Sequence, residues 1–118
     1  MAMRIACFLS LGAVLIVTGC DPGYQLTGTV KSSTTGAPIA GASAQAICAS
    51  PPAPSATSDA AGTFHGSGVG FFADDCRIEV SAKGHETQSF PVGANCRQRH
   101  LGSCLHVEVN AVLKPSAP

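Results

Sequence analysis

Strict alternation of apolar and polar residues is the feature that most limits how this chain folds. The apolar positions of "CRIEVSAKG", residues 76–84, are Cys76, Ile78, Val80 and Ala82. The stretch "LHVEVNAVL", residues 105–113, repeats the pattern. A period of two places successive side chains on opposite faces of a strand. Each stretch therefore predicts a strand with one buried face.

Further stretches extend this pattern. They are "YQLTGTVKSS" (24–33), "ASAQAIC" (42–48), "GTFHGSG" (62–68) and "ETQSFPV" (86–92). The last is an edge candidate, because Pro91 cannot donate a hydrogen bond to a central ladder. Residues 49–61 are rich in Pro, Ser and Ala and predict an exposed loop. Short alternating strands separated by turns are typical of an antiparallel β-sandwich.

The N-terminal segment "MAMRIACFLSLGAVLIVTGC" has a different character. Arg4 precedes an uncharged stretch that ends at Thr18, which is the pattern of an export signal. The apolar run is about 14 residues, shorter than the roughly 20 of a spanning helix. The segment "VTGC" resembles the lipobox of bacterial lipoproteins. That resemblance implies cleavage before Cys20, a diacylglycerol on its thiol and an acyl chain such as palmitate on its new amino group. An ordinary signal peptide that contains a cysteine is the alternative.

These features divide the chain into four segments. We expect a signal peptide at residues 1–19, a lipidated Cys20 with a short tether at 20–23, a β-sandwich at 24–115 and a tail at 116–118. Removal of the first 19 of 118 residues leaves 99, enough for one small domain. The domain is expected to be exported and anchored to the lipid bilayer by the Cys20 acyl groups, on a periplasmic or surface face. Inner and outer membranes both remain open.

The charge balance of the segment after residue 19 excludes one class of partner. It contains seven acidic and six basic residues, with Arg4 the seventh base of the chain. Nucleic-acid binding normally requires a strongly basic surface, so no nucleic acid is expected as a partner. Aromatic residues are few and Trp is absent, which predicts a thin core. Disulfides would then contribute much of the stability.

The order of several motifs resembles the carboxypeptidase regulatory-like family. The motifs are "LTGTV", "TGAPIAGASAQA", "SDAAGTF", "CRIEVSAKGH" and "VEVNAVLKP". The resemblance covers Tyr24 to Pro115 and implies a single seven-stranded transthyretin-like sandwich, all-β and antiparallel. Cys76 stands where the family usually has Tyr, and His85 where it has Tyr or Phe. A disulfide at Cys76 would offset the first of these losses.

Four cysteines remain once Cys7 and Cys20 are set aside, and four allow three pairings. Cys48 and Cys76 both fall on the predicted inward faces of their strands. Cys96 and Cys104 bracket "RQRHLGS", a length suited to a loop before the last strand. We therefore favour the pairing Cys48–Cys76 and Cys96–Cys104 over the other two. Export would place the cysteines where disulfides persist.

No catalytic or metal-binding motif stands out, and no cofactor is expected. The four histidines show no H-E-x-x-H spacing, and no G-x-S-x-G motif is present. The alternative is an enzyme or metal-binding protein on a transthyretin-like fold. Hydroxyisourate hydrolases end in Tyr-Arg-Gly-Ser, whereas this chain ends "LKPSAP". Intradiol dioxygenases need a Tyr/His iron set that the single Tyr cannot supply.

One loop stands out as a candidate binding site. "CRQRHLGSC", residues 96–104, brings Arg97, Arg99 and His100 together in a segment that a disulfide would close. Such a loop suits an anion: a phosphate, a glycan or an acidic protein surface. A solvated loop without a ligand is the alternative. The sequence as a whole predicts a non-catalytic sandwich for binding or structural support in the cell envelope, with an envelope protein or glycan as partner.

Overall fold

The computed structural model describes residues 23–49 and 54–117. The described strands are β1 (Gly23–Ser32), β2 (Ser43–Ile47), β3 (Ser55–Thr57), β4 (Thr63–Val69), β5 (Arg77–Ser81), β6 (Gln88–Pro91), β7 (Cys96–His100) and β8 (Ser103–Leu113). A 3₁₀ turn, Gly93–Asn95, precedes β7. The expected signal peptide and Cys20 lie outside the described residues. Within those residues, no helix has the length and apolar character needed to cross a membrane.

The described strands form two four-stranded sheets. Sheet A has the order β4-β1-β8-β7, and sheet B the order β3-β2-β5-β6. The expected all-β sandwich architecture is thus confirmed. The described residues contain eight strands where seven were expected. Two of them, β3 and β7, fall in stretches that the sequence predicted to be loops.

The expectation of a purely antiparallel sandwich was wrong at one place. Strands β1 and β8 pair in parallel over eight residues, from Gln25 opposite His106 to Ser32 opposite Leu113. The other strand pairs in the described residues are antiparallel. Alternation of apolar residues fixes which face of a strand is buried, but it does not fix the direction of the neighbouring strand. Both strands begin at the same end of the sandwich, which makes their pairing parallel.

The core lies between the inner faces of the two sheets. Its fully buried residues from the paired strands are Leu26, Val30, Ala44, Ala46, Phe64, Ile78, Val80, Cys104, Val107, Val109, Ala111 and Leu113. In β5, Ile78 and Val80 are fully buried while Arg77 is exposed and Glu79 only partly buried. The face assignment predicted for this strand is therefore confirmed.

Two glycines permit this packing. A Cβ on Gly28 would lie 2.6 Å from Cζ of Phe64 and would also meet the backbone of Val109, so only glycine lets the Phe64 ring cross β1. Gly62 has a φ of +75°, in the left-handed region that side chains with a Cβ disfavour. It ends the "DAAG" turn that leads into β4.

The two ends of the sandwich are distinct. At the N-terminal end, β1 and β8 begin and β4 and β7 end. This end also holds the segment 70–76, which runs from β4 to β5, and the turn between β7 and β8. At the far end, β1 and β8 finish and β4 begins. The turns at 33–37 and 58–62 lie there.

Candidate functional site

The segment 96–104 forms a β-hairpin, which corrects the expectation of a loop. His100 pairs with Ser103, so β7 and β8 are joined by the two residues Leu101 and Gly102. Both have positive φ, 51° and 85°. A two-residue turn of this kind matches the twist of its strands but strongly prefers Asn or Gly at the first position. Leu101 is therefore a strained choice.

The hairpin collects the three residues proposed for anion binding, but its arginines already have partners. Nη1 of Arg99 lies 3.0 Å from Oδ1 of Asp74, in the segment between β4 and β5. Nε of Arg97 lies 3.2 Å from Oε1 of Glu108 on β8. An anion arriving here would compete with a carboxylate at each arginine. His100 is exposed at the end of β7.

Arg99 also connects this hairpin to its surroundings. Its guanidinium donates to the carbonyl oxygen of Gly102 at 3.4 Å and to that of Gly93 at 3.5 Å. One side chain thus contacts the hairpin turn, the 3₁₀ turn and the segment before β5. The structure gives Arg99 a bracing role that its sequence context did not indicate.

Both disulfides lie toward the N-terminal end of the sandwich. Cys48 is bonded to Cys76, with their Cα atoms 4.3 Å apart. Cys96 is bonded to Cys104, with a Cα separation of 5.9 Å. The two expected disulfides are present, in the pairing favoured from the sequence. The first links the end of β2 to the start of β5, and the second joins the strands of the hairpin.

The N-terminal end also carries apolar side chains that face solvent. The exposed fractions are 80% for Val69, 59% for Phe71 and 91% for Leu101. Val69 is directly opposite Gly23, the first residue of β1. Phe71 is next to Phe72, whose backbone exchanges two hydrogen bonds with Cys104. Large exposed apolar residues gathered at one place are informative, whereas scattered ones are not.

Sequence reasoning missed this apolar end. Its signal is "VGFF" at residues 69–72, where apolar residues continue after the alternation of β4 has ended. The ring of Phe72 turns inward and contacts Tyr24 edge-on, with ring centroids 5.4 Å apart. The side chain of its neighbour Phe71 is exposed to solvent. Alternation alone did not indicate that both faces of this segment are apolar.

The histidines do not assemble a metal or catalytic centre among the described residues. No group of three or more His, Cys, Asp or Glu side chains there could hold a metal ion. His106 contacts Oγ1 of Thr27 through Nε2 at 2.8 Å, on the outer face of sheet A. His65, also directed outward, is opposite Thr27 on β4. His85 contacts the carbonyl oxygen of Lys83 in a turn at the far end.

An open groove of about 190 Å³ lies along β6 and the end of β8. Its lining is mostly polar: Glu86, Thr87, Gln88, Val112, Leu113 and Lys114. The side chain of Gln88 bridges the two sheets here, accepting a hydrogen bond from the Val112 amide at 3.3 Å. The groove is open to solvent.

A family model described as the carboxypeptidase regulatory-like domain matches residues 25–100. The chain belongs to this family. The matched segment runs from β1 into the end of β7, and the central strand β8 follows it. The predicted membership is thereby confirmed for the domain.

Comparison with solved structures supports the fold. The chain resembles a crystal structure of chlorocatechol 1,2-dioxygenase from Pseudomonas putida, with a TM-score of 0.55 and 13% sequence identity. The match covers 79% of this chain and 60% of the dioxygenase chain. At this identity the likeness concerns the sandwich alone. A search of curated proteins by sequence finds no match.

Proposed function

We propose that this protein is an exported lipoprotein, anchored through Cys20, whose regulatory-like sandwich is a non-catalytic module for binding or structural support in the cell envelope. The observation that carries the proposal is the order of its parts. An apolar segment without charge ends in "VTGC", and β1 begins only three residues after that cysteine. Such a junction suits an anchored domain rather than a freely released one.

The cysteine chemistry supports export. The four cysteines at 48, 76, 96 and 104 are consumed in two disulfides. Disulfides persist in oxidising compartments and are rare in the cytosol. All four cysteines of the described residues are thereby paired with one another. Lipidation gives Cys20 a chemical role of its own.

The non-catalytic assignment has support of a different kind. The outer face of sheet A presents polar groups, among them Thr27 and Glu108, that are only partly buried. The arginines of the hairpin are occupied by Asp74 and Glu108. Polar surfaces of this type suit contact with an envelope protein or a glycan.

A pair of cysteine variants tests the anchor. In the native host, Cys20→Ser is expected to abolish acylation and to leave an uncleaved precursor, detected by mass spectrometry of the membrane-extracted protein. Cys7→Ser is the matched control, because Cys7 lies within the predicted signal peptide and should leave both processing and acylation intact. A wild-type chain recovered in soluble form, with an unmodified thiol on Cys20, would contradict the proposal.

A further inference from the structure

We infer that the N-terminal end of the sandwich docks on the bilayer surface, with Val69, Phe71 and Leu101 inserted among the lipid headgroups. This inference rests on the proposed lipid anchor at Cys20 and adds an orientation to it. The three side chains belong to two separate segments, the end of β4 with its continuation and the tip of the β7–β8 hairpin. All three are solvent-exposed, by 80%, 59% and 91% respectively.

The position of the anchor selects a lipid surface as the occupant. Cys20 precedes Gly23 by three residues. A chain advances at most about 3.6 Å per residue, so the two Cα atoms lie within about 11 Å of each other. Gly23 is paired with Val69 at this same end. Acyl chains on Cys20 therefore hold the end that carries the exposed apolar residues within reach of the headgroups.

The tip of the β7–β8 hairpin exposes an apolar side chain, that of Leu101, to solvent. Leu101 occupies a left-handed position that favours Asn or Gly, yet it is an apolar residue that makes little contact with the domain. Arg99 fixes the tip by bonding to Gly102 and Asp74. Strained residues persist where the surrounding structure holds them and often mark a functional contact. Leu101 is almost fully exposed at a tip that Arg99 braces.

The charges of this end indicate apolar insertion rather than attraction to anionic lipid. Each described arginine is paired with a carboxylate: Arg77 with Glu79, Arg97 with Glu108 and Arg99 with Asp74. Asp75 adds a negative charge in the segment before β5. Polybasic segments bind anionic membranes through unpaired cations. Here we expect little dependence on lipid charge or salt.

A single-tryptophan experiment tests the inference, because the chain contains no tryptophan. Leu101→Trp and Phe71→Trp are prepared in the full-length, processed lipoprotein and reconstituted into phosphatidylcholine vesicles with or without brominated acyl chains. In both variants the tryptophan emission should be blue-shifted. The brominated lipid should quench most of that emission. Thr34→Trp, in an exposed turn at the far end, should emit as in water and remain unquenched.

The possible outcomes separate this inference from the anchor itself. Mass spectrometry of the same preparation reports acylation of Cys20, and its absence overturns both proposals. If the protein is acylated but the tryptophans of Leu101→Trp and Phe71→Trp emit as in water, the docking proposal is overturned and the lipid anchor is not. Tryptophans shielded from aqueous acrylamide but not quenched by brominated lipid would indicate a protein partner and also overturn it. If quenching occurs only in vesicles that also contain the anionic lipid phosphatidylglycerol, lipid charge drives the binding, and insertion of apolar side chains is refuted as its cause.

Discussion

The two ends of the sandwich hold their turns in place by different chemistry. At the N-terminal end, two disulfides fix the segments around Cys48, Cys76, Cys96 and Cys104. At the far end, side chains bond to the backbone. Ser58 is buried, accepting from the Ala42 amide at 2.8 Å and donating to the Ile39 carbonyl at 2.7 Å.

The far-end turn is completed by a second side chain. Oδ1 of Asp59 accepts hydrogen bonds from the amides of Ala61 at 3.0 Å and Thr63 at 2.9 Å. These bonds form within a few residues of sequence and depend on no external oxidant. The N-terminal end is therefore sensitive to redox conditions, whereas the far end is not. Among the described residues, the end near the proposed anchor is the one whose crosslinks depend on an oxidising environment.

Loss of the longer crosslink is expected to have the largest effect. The double variant Cys48→Ala/Cys76→Ala removes a bond across a sequence separation of 28 residues. The chain-entropy model then gives about 3.5 kcal/mol of lost stability, measured by urea unfolding of the chain from residue 21 onward. Cys96→Ala/Cys104→Ala, with a separation of 8 residues, should cost about 2.5 kcal/mol on the same model.

Hydrogen exchange tells whether this effect is confined to one end. In the Cys48→Ala/Cys76→Ala variant, amides of segment 70–76 should exchange faster, while those of the turn at 58–62 should keep their protection relative to global unfolding. If amide exchange became equally faster at both ends, the Cys48–Cys76 disulfide would not stabilise the N-terminal end selectively.

Loss of the buried serine is expected to have an intermediate effect at the far end. Ser58→Ala leaves the Ala42 amide without its acceptor and the Ile39 carbonyl without its donor. Leaving buried groups of this kind unsatisfied typically costs about 1–3 kcal/mol, so we expect Ser58→Ala to lower the free energy of unfolding by about that amount. Ser67→Ala, on the exposed face of β4, is the control and should change stability by less than about 0.5 kcal/mol. A Ser58→Ala protein as stable as this control would show that the far end does not depend on the serine.

Loss of the bracing arginine is expected to have the smallest effect. Arg99→Ala removes the contacts to Asp74 and Gly102, but the pair is roughly half exposed, so the loss should be under about 1 kcal/mol. Faster hydrogen exchange at Leu101 and Gly102 should accompany it. Arg77→Ala breaks a pair within β5 and is the control, with no change at the hairpin. A large global destabilisation by Arg99→Ala would mean that the N-terminal end depends on the Arg99–Asp74 ion pair as well as on its two disulfides.

The sequence predicted those parts of the fold whose residues alternate. Strands β1, β2 and β5 follow the predicted faces, and β8 does so from Val107 onward, while at its start Cys104 is buried instead of Leu105. The buried pair Ile78 and Val80 in β5 shows the agreement clearly. The edge placement of β6 follows from Pro91. The disulfide pairing could also be predicted, because Cys48 and Cys76 continue the inward-facing positions of β2 and β5, and these two strands are neighbours in the structure.

Two strands escaped prediction because alternation is absent from them. In β7 every residue after Cys96 is exposed, so no apolar period marks it. Three-residue β3 has only Ala56 partly buried. Both lie at sheet edges, where one neighbour supplies the hydrogen bonds and little core contact is required. The pairing of Arg97 and Arg99 with carboxylates depends on β7, so the sequence alone did not indicate it.

The parallel pairing of β1 with β8 affects the order of folding. Thr29 and Asn110 bond across 81 residues of sequence, and the strands they join are the two central ones of sheet A. Contacts this distant slow folding, typically to milliseconds or seconds. Until the last strand is available, β1 has only β4 as a neighbour. We therefore expect a chain truncated before residue 103 to remain unfolded, since its first strand and its edge strand β7 would have nothing to join them.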